Sequence, residues 1–332
     1  ENQKDKHNEQ EQKTKKKNEQ NKQENMRQYG VVFAGKDFTV VDNHDWFKDM
    51  GYMAFLRDVG KHVPMSQMLG REFIQTRLGE GGSGISYAEF SYALIQGYDF
   101  LYLYREHGVT LQLCGADQWG NSLAGVELIR RIAGGEANVL SLPLIINKAT
   151  GRKFGKSEGG AVWLDPEQTS AYQFYQFWLN VDDEGVVDYM KVYTLLDRAE
   201  IEAVARDFDK DRSSRIAQKT LAYEVTKLVH GQAKADAVVH ATAVLFGATQ
   251  ELSADVVEVL RGELPVVKAS DDTYAVIVEA GLASSKSEAR NFVSSGAISV
   301  NGVKVTPESE NVFEKPVNLV KRGKNTFALV EQ

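Results

Sequence analysis

The spacing of apolar residues changes near Pro166, and this change constrains the fold more than any other feature of the sequence. Upstream, segments with helical spacing alternate with short apolar runs; a helix is expected over 85–104, and strands over 109–114 and 142–145. Helices that alternate with short strands are typical of a parallel α/β sheet. Downstream, helical spacing continues with little strand between, including one long run over 213–246, which predicts an all-α region.

The pattern changes again from about residue 270. A helix is expected over 285–294, and strand-like runs follow it at 298–300, 303–305 and 326–330. The Asn301-Gly302 pair between the first two runs is a strong hairpin signal. The sequence therefore predicts three folded parts after the N-terminal segment: an α/β domain over 29–165, an all-α domain over 166–262, and a small α+β domain over 270–332.

The N-terminal segment 1–28 is almost entirely Lys, Glu, Gln, Asn and Asp, with no apolar residue before Met26. Such a segment cannot bury enough apolar surface to offset the entropy of ordering it against a core. We expect a polar tail, either disordered or a solvated helix, with core-forming sequence beginning near Tyr29.

Composition excludes several classes of protein. The single cysteine, Cys114, excludes a disulfide framework and a metal cluster built from several thiols, and a buried, inert thiol is the expected role. The six histidines lack metal-ligand spacing, so no metal site is predicted. No apolar run reaches the length of a membrane span, and we expect a cytoplasmic protein without membrane contact. The net charge of −7 argues against indiscriminate coating of nucleic acid.

Gly79 to Gly84 satisfy the G-x-G-x-x-G pattern of dinucleotide-binding proteins. The preceding residues have helical spacing, whereas the dinucleotide fingerprint requires a strand there. We therefore interpret this segment as a loop that enters the following helix, and reject an NAD site.

Two groups of polar residues in the α/β part are candidates for a ligand site. Tyr92, Gln96 and Asp99 are spaced by four and three, which places them on one helical face. Gly115 and Asp117 follow a strand, at the end where open α/β sheets bind ligands. A hydrogen-bonded core network for the first group, and a structural turn for the second, are the alternatives.

Basic residues form two further candidate sites. Lys153, Lys156 and Ser157 lie on a Gly-rich loop, where mobile lysines can stabilise phosphate charge, although solvated surface lysines are an alternative. In the last domain several cations are expected to form a basic face suited to a phosphate backbone, with scattered surface charge as the alternative. These cations are Lys286, Arg290, Lys304, Lys321, Arg322 and Lys324.

Taken in order, five motifs resemble bacterial tyrosyl-tRNA synthetase, a class I aminoacyl-tRNA synthetase, from Phe38 to Gln332. They are Val41-Asp42-Asn43-His44-Asp45-Trp46, Tyr92-x-x-x-Gln96-x-x-Asp99, Gly115-x-Asp117-Gln118-Trp119-Gly120-Asn121, Lys153-Phe154-Gly155-Lys156-Ser157 (its form of the K-M-S-K-S signature), and Ser285 to Gly302, which resembles the S4 RNA-binding motif. Each motif alone is weak, but their collinear order is specific.

The resemblance implies ligation of L-tyrosine to tRNA(Tyr) with ATP and Mg²⁺ as substrate, without a prosthetic group, by a homodimer. It implies a Rossmann-like catalytic domain, a helical anticodon-binding domain and an S4-like domain. Carried over by motif, the residues that contact tyrosine would be Tyr92, Gln96, Asp99 and Gln118. Gly115, Asp117 and Lys156 would contact ATP or the adenylate, Lys153, Lys156 and Ser157 would serve catalysis, and Lys286, Arg290 and Lys304 would bind RNA.

The sequence also departs from the family pattern. No H-x-G-H motif is present, so the catalytic domain is expected to lack its first, ATP-binding half and to have poor activity. Cys114-Gly115-Ala116 stands where the family has Gly-Gly-Ser, and Asn291 where the S4 helix commonly carries a basic residue. A non-catalytic RNA-binding paralogue that retains the S4 domain is the alternative function.

Overall fold

The computed structural model describes residues 2–70, 72–148, 151, 162–246 and 251–332. The described chain forms two compact units. One is Asp37–Asn147, and the other combines the N-terminal residues up to Lys36 with the chain from 162 to 332. No helix within these residues is long and apolar enough to cross a membrane.

The polar N-terminal segment is a helix, α1 (Asn2–Val32). The structure thus takes the helical alternative, and the expectation of a disordered tail is corrected. Lys, Glu and Gln have high intrinsic helix propensity, which supports a helix that buries little apolar surface. Near its end Arg27 forms ion pairs with Glu24 and with the buried carboxylate of Asp165, so α1 is fixed to its own unit.

The Asp37–Asn147 unit combines helices with two short strands. They are α2 (His44–Phe47), α3 (Tyr52–Asp58), α4 (Met65–Leu69), α5 (Glu72–Leu78), α6 (Tyr87–His107), β1 (Leu111–Gly115), α7 (Trp119–Leu128) and β2 (Asn138–Leu142). β1 and β2 pair in parallel, and α7 connects them, as in a βαβ unit. The second strand lies earlier than the expected 142–145, because Val139 is the residue of this segment that packs against the apolar cluster of the helices.

Helix α6 is the long helix predicted over 85–104. It begins at a capping box, in which Ser86 and Glu89 satisfy each other's backbone N–H groups, and it ends at Gly108 in the left-handed conformation. Its apolar side packs with α7 and the preceding segments around a buried cluster. The cluster contains Val59, Val63, Met68, Leu94, Phe100, Leu101, Leu128 and Ile129.

Helices α6 and α7 approach each other closely at two glycines. A Cβ atom on Gly97 would lie 3.2 Å from the backbone of Ala124, and one on Gly125 would lie 2.7 Å from the Cβ of Phe100. A Cβ atom at Gly125 would force the helices apart, and one at Gly97 would make a tight contact, so glycine at both positions favours this separation. The contact fixes the polar residues of α6 against those at the start of α7.

The β1–β2 pair leaves one face exposed. Leu111 and Leu113 of β1, with Leu140 and Leu142 of β2, are 52% to 64% exposed, and the register places them on the same side. The opposite side packs on the helices through residues such as Val139. Parallel sheets normally have both faces covered, so we expect this four-residue leucine face to associate with other apolar surface.

The helical part of the second unit confirms the predicted change after Pro166. Its helices are α8 (Ala171–Leu179), α9 (Val186–Tyr193), α10 (Arg198–Lys210), α11 (Ile216–His230), α12 (Gln232–Leu245) and α13 (Ala254–Arg261). The single helix expected over 213–246 is wrong, because Gly231 has a φ of 87° that interrupts it between α11 and α12.

The C-terminal part is α+β, as predicted, but its sheet has five strands. Its elements are β3 (Val266–Lys268), α14 (Thr273–Glu279), α15 (Lys286–Ser294), β4 (Ile298–Val300), β5 (Val303–Lys304), β6 (Val317–Arg322) and β7 (Thr326–Glu331), with sheet order β3-β7-β6-β4-β5. Of these, β3 and β6 were not predicted, and a second helix, α14, precedes the predicted one. β3 is parallel to β7 and the other pairs are antiparallel. Asn301 and Gly302 both have positive φ, which is the hairpin conformation that their sequence predicts.

The helices and this sheet share apolar contacts. Leu245 of α12 and Leu260 of α13 are buried in one cluster with Leu319 of β6 and Leu329 of β7. Arg261 also pairs with Glu331 at the end of β7, at 2.7 Å. The α+β part is therefore packed directly against the end of the helical part.

We expect the double substitution Leu113→Gln and Leu140→Gln to reduce self-association. These residues are register partners on the leucine face, so polar replacements remove about half of its apolar area. Sedimentation velocity and binding of a hydrophobic dye measure the effect. Leu195→Gln is the control, since Leu195 is a strongly exposed leucine of the other unit; equal association of both variants would contradict the prediction.

We expect the helical part to lose stability between pH 6.5 and 4 through His230. Burial of its imidazole, with a smaller effect of Lys234, lowers its pKa from 6.5 to about 4. Within this window the unfolded chain binds the proton and the folded chain does not, so stability rises with pH at about 1.4 kcal/mol per pH unit. His230→Phe, which keeps the ring contact with Phe174, should flatten the unfolding midpoint measured against pH; an unchanged slope would refute this.

Candidate active site

Asp99 of α6 lies half-buried and accepts two hydrogen bonds from the segment around α2. The indole N–H of Trp46 donates to Oδ1 at 2.9 Å, and the amide Nδ2 of Asn43 donates to Oδ2 at 3.3 Å. Trp46 is held in place by stacking on Tyr102 of α6, with ring centroids 4.3 Å apart. The carboxylate is therefore oriented by partners more than fifty residues upstream.

The surroundings of Asp99 act on its pKa in opposite directions. Desolvation raises the pKa above its ordinary value, while the hydrogen bonds from Trp46 and Asn43 lower it. The net shift is upward, so burial outweighs the two donors. A carboxylate with each oxygen already bonded once retains lone pairs that can accept a further donor from a ligand.

Gln96, one turn before Asp99 on α6, contacts the beginning of α7. The Nδ2 group of Asn121 donates to Oε1 of Gln96 at 3.2 Å and to Oε1 of Gln118 at 3.4 Å. The close contact at Gly97 and Gly125 brings Gln96 within reach of Asn121. The structure thus joins two predicted site residues, Gln96 and Gln118, through a third amide.

Gly115 and Asp117 lie at the carboxyl end of β1, as predicted. Asp117 is exposed in the 3-10 turn Ala116–Gln118, and its Oδ1 would lie 2.9 Å from a Cβ atom on Gly115. Glycine at 115 therefore leaves room for the carboxylate to fold back over the strand end. Cys114, in the preceding position, is partly buried, and Ser122 donates to its sulfur at 3.5 Å.

Within the residues that the structure describes, no side-chain hydrogen bond joins the remaining predicted site residues to Asp99, Gln96 or Gln118. Tyr92 is on α6, one turn before Gln96, and is 59% exposed. Lys153, Lys156 and Ser157 lie outside the residues that the structure describes.

Among the described residues, no group of three or more His, Cys, Asp or Glu side chains is arranged to hold a metal ion.

The predicted RNA-binding cations fall into two groups. Lys286 pairs with Asp272 at 2.8 Å, and the guanidinium of Arg290, one turn later on α15, stands 5.3 Å from the ring centroid of Tyr274. Lys304 instead lines a separate cavity of about 390 Å³, together with Lys321 and the glycines of the hairpin region. Lys304 and Lys321 are therefore the two cations that face one open space.

Sequence reasoning did not assign Asn43, Trp46 or Asn121 to the site. The first two lie in the motif over 41–46, and Asn121 closes the motif over 115–121, so the motifs contained the signal. Their hydrogen-bond partners are on α6, and only the fold shows that relation.

Comparison with known proteins assigns this arrangement to a family. The sequence model for class I tRNA synthetases (W and Y) matches residues 2–247, and that for the tyrosine–tRNA ligase SYY-like C-terminal domain matches 256–330. The tyrosine–tRNA ligase of Lactococcus lactis is 42% identical over 296 residues, covering 86% of this chain and 70% of that protein. The chain belongs to the tyrosyl-tRNA synthetases of class I.

Other relatives agree. The tyrosine–tRNA ligase of Limosilactobacillus fermentum is 41% identical over 329 residues, which cover 96% of this chain and 78% of that protein. A solved structure of the C-terminally truncated mitochondrial tyrosyl-tRNA synthetase of Aspergillus nidulans superposes with a TM-score of 0.52 at 32% identity, covering 66% of this chain and 62% of that one. The family match begins at residue 2, so this synthetase-like region includes α1.

We expect Trp46→Phe to raise the pKa of Asp99 further. The substitution removes the indole N–H that favours the charged carboxylate and keeps an aromatic ring to stack on Tyr102. Titration of the ¹³C carboxyl signal of Asp99, assigned with Asp99→Asn, measures the change. Trp163→Phe, in the other unit, is the control; a fall or no change in the pKa of Asp99 in Trp46→Phe would contradict the prediction.

Proposed function

We propose that the chain carries out ligation of L-tyrosine to tRNA(Tyr) at the expense of ATP, with low activity in the form described here. The observation that carries this proposal is the carboxylate of Asp99, held by Trp46 and Asn43 beside the linked amides of Gln96 and Gln118. This set offers an acceptor for a phenol hydroxyl and both donors and acceptors for an amino acid.

The proposed recognition of tyrosine rests on the hydrogen bond to its hydroxyl. Asp99 would accept that bond, while Tyr92 and Gln96 would hold the ammonium group and Gln118 the carboxylate. Phenylalanine would leave the half-buried Asp99 without this donor, and sites built to bond a hydroxyl reject analogues that lack it by about 10⁴ to 10⁵. Such a site requires no separate editing of phenylalanine.

The proposed reaction has two steps. The carboxylate of tyrosine attacks the α-phosphate of Mg²⁺-bound ATP and releases pyrophosphate; the terminal ribose hydroxyl of the tRNA then attacks the activated carbonyl and releases AMP. Gly115 and Asp117 would bind the adenylate ribose at the end of β1. Lys153, Lys156 and Ser157 would stabilise the departing phosphates, so that the protein supplies positioning and charge without a nucleophile.

The tRNA partner would contact the helical part and the S4-like part. Lys304 and Lys321, which face one cavity, and Lys286 and Arg290 on α15 offer positive charge in an acidic chain. We further propose that the protein is a homodimer and that it is located in the cytoplasm. We propose low activity because the sequence given contains no H-x-G-H motif.

Tyrosine-dependent exchange of pyrophosphate into ATP tests the proposal. We expect measurable exchange, slower than that of the Lactococcus lactis ligase, and at least about tenfold slower again in Asp99→Asn, since a bond to a charged acceptor is worth about 1.5–3 kcal/mol. Asp58→Asn is the control, because Asp58 is an exposed carboxylate of the same unit that pairs with Arg57.

Two results would contradict this proposal. Equal exchange with tyrosine and phenylalanine would remove the role of Asp99. Absence of any tyrosine-dependent exchange, together with retained binding of tRNA, would favour the non-catalytic RNA-binding alternative.

A further inference from the structure

We propose that Asn121 is a positioning residue that sets the orientation of the amide groups of both Gln96 and Gln118. The proposal rests on the proposed function only where it concerns tyrosine. Its structural part, that one amide controls two others, stands on the described contacts alone.

The hydrogen-bond pattern assigns this role. The Nδ2 group of Asn121 donates to Oε1 of Gln96 at 3.2 Å and to Oε1 of Gln118 at 3.4 Å, and its two N–H bonds suffice for one to each oxygen. Both donors are then used. Because each glutamine accepts at its oxygen, its Nε2 group is turned away from Asn121, and each oxygen keeps one lone pair for another donor.

The packing of α6 against α7 restricts this arrangement. Gln96 directly precedes Gly97, and Asn121 lies one turn before Gly125, so both amides are beside the position where the two helices are closest. Gln118 ends the 3-10 turn that leads into α7, three residues before Asn121. All three side chains are partly buried, which limits competition from water.

The two fixed orientations match the two charges of an amino acid. Outward Nε2–H groups suit a carboxylate, and the remaining lone pair on Oε1 of Gln96 suits an ammonium group. Without Asn121 the amide of Gln118 could rotate by 180° at little cost and present its oxygen, an acceptor, to a substrate carboxylate. Asn121 would therefore determine the preference for a zwitterion over an amine, without contacting the ligand itself.

The substitution Asn121→Asp tests this directly. A carboxylate at 121 can only accept, so both glutamines should turn their Nε2 groups inward and present Oε1 outward. Gln118 would then face a substrate carboxylate with an acceptor. Asn138→Asp is the matched control: it makes the same change in charge in the same unit, at the opposite end of the β1–β2 pair.

The first measurement needs no ligand. The side-chain ¹⁵N–¹H amide signals of Gln96 and Gln118, assigned with Gln96→Glu and Gln118→Glu, should both move in Asn121→Asp and in Asn121→Ala, and remain in place in Asn138→Asp. If either pair of signals keeps its position in both Asn121 variants, the positioning role is refuted, whether or not the chain binds tyrosine.

The second measurement compares L-tyrosine with tyramine, which lacks the carboxylate, by titration calorimetry. Asn121→Asp should weaken binding of tyrosine about tenfold or more, which corresponds to about 1.4 kcal/mol or more, and leave tyramine within about threefold of wild type. Asn121→Ala should weaken the binding of tyrosine by less than Asn121→Asp does, because alanine allows either orientation of the glutamine amides and does not impose the unfavourable one.

The outcomes separate the two proposals. Equal weakening of tyrosine and tyramine would overturn the positioning role, because a merely structural residue would affect both ligands alike. If the wild-type chain bound neither ligand while the amide signals moved as expected, the proposed function would fail and the structural role of Asn121 would stand.

Discussion

The contact between α6 and α7 at Gly97 and Gly125 determines where the polar groups of this synthetase can lie. A Cβ atom at Gly125 would clash with Phe100, and one at Gly97 would press against Ala124, so glycine at both positions permits this close separation of the two helices. At that separation Phe100 of α6 and Leu128 of α7 are buried in one apolar cluster. It also brings the amide of Gln96 against α7, so the core and the candidate site depend on the same contact.

Asp99 shows how such a site balances opposing effects. Burial disfavours the charged carboxylate, and the donors Trp46 and Asn43 only partly compensate. A carboxylate in this state gains from every additional donor, because burial has already removed water from around it. A hydroxyl that donated to Asp99 would therefore be bonded more strongly than one at an exposed aspartate.

The sequence predicted the elements whose causes are local. The helix over 85–104, the hairpin at Asn301-Gly302 and the change of pattern near Pro166 follow from capping, turn chemistry and spacing. Other features depend on distant partners. The hydrogen bonds to Asp99 join residues more than fifty positions apart, so no local pattern predicted them. Strand β6 pairs with β4 and β7 on its two sides, and its own sequence did not predict a strand. The interruption at Gly231 could not be predicted from the spacing of apolar residues, because helical spacing continues on both sides of it. It is visible only in the positive φ of Gly231.

The exposed leucine face makes β1 easier to unfold locally than the helices of the Asp37–Asn147 unit. Within the described residues β1 pairs only with β2 and packs on one face, so fewer apolar contacts oppose its local unfolding than in a strand that is covered on both faces. Gly115, and the turn that carries Asp117, continue directly from this strand. Amide hydrogens of β1 should therefore exchange with solvent sooner than those of α6, and any molecule bound at the strand end would slow that exchange by mass action.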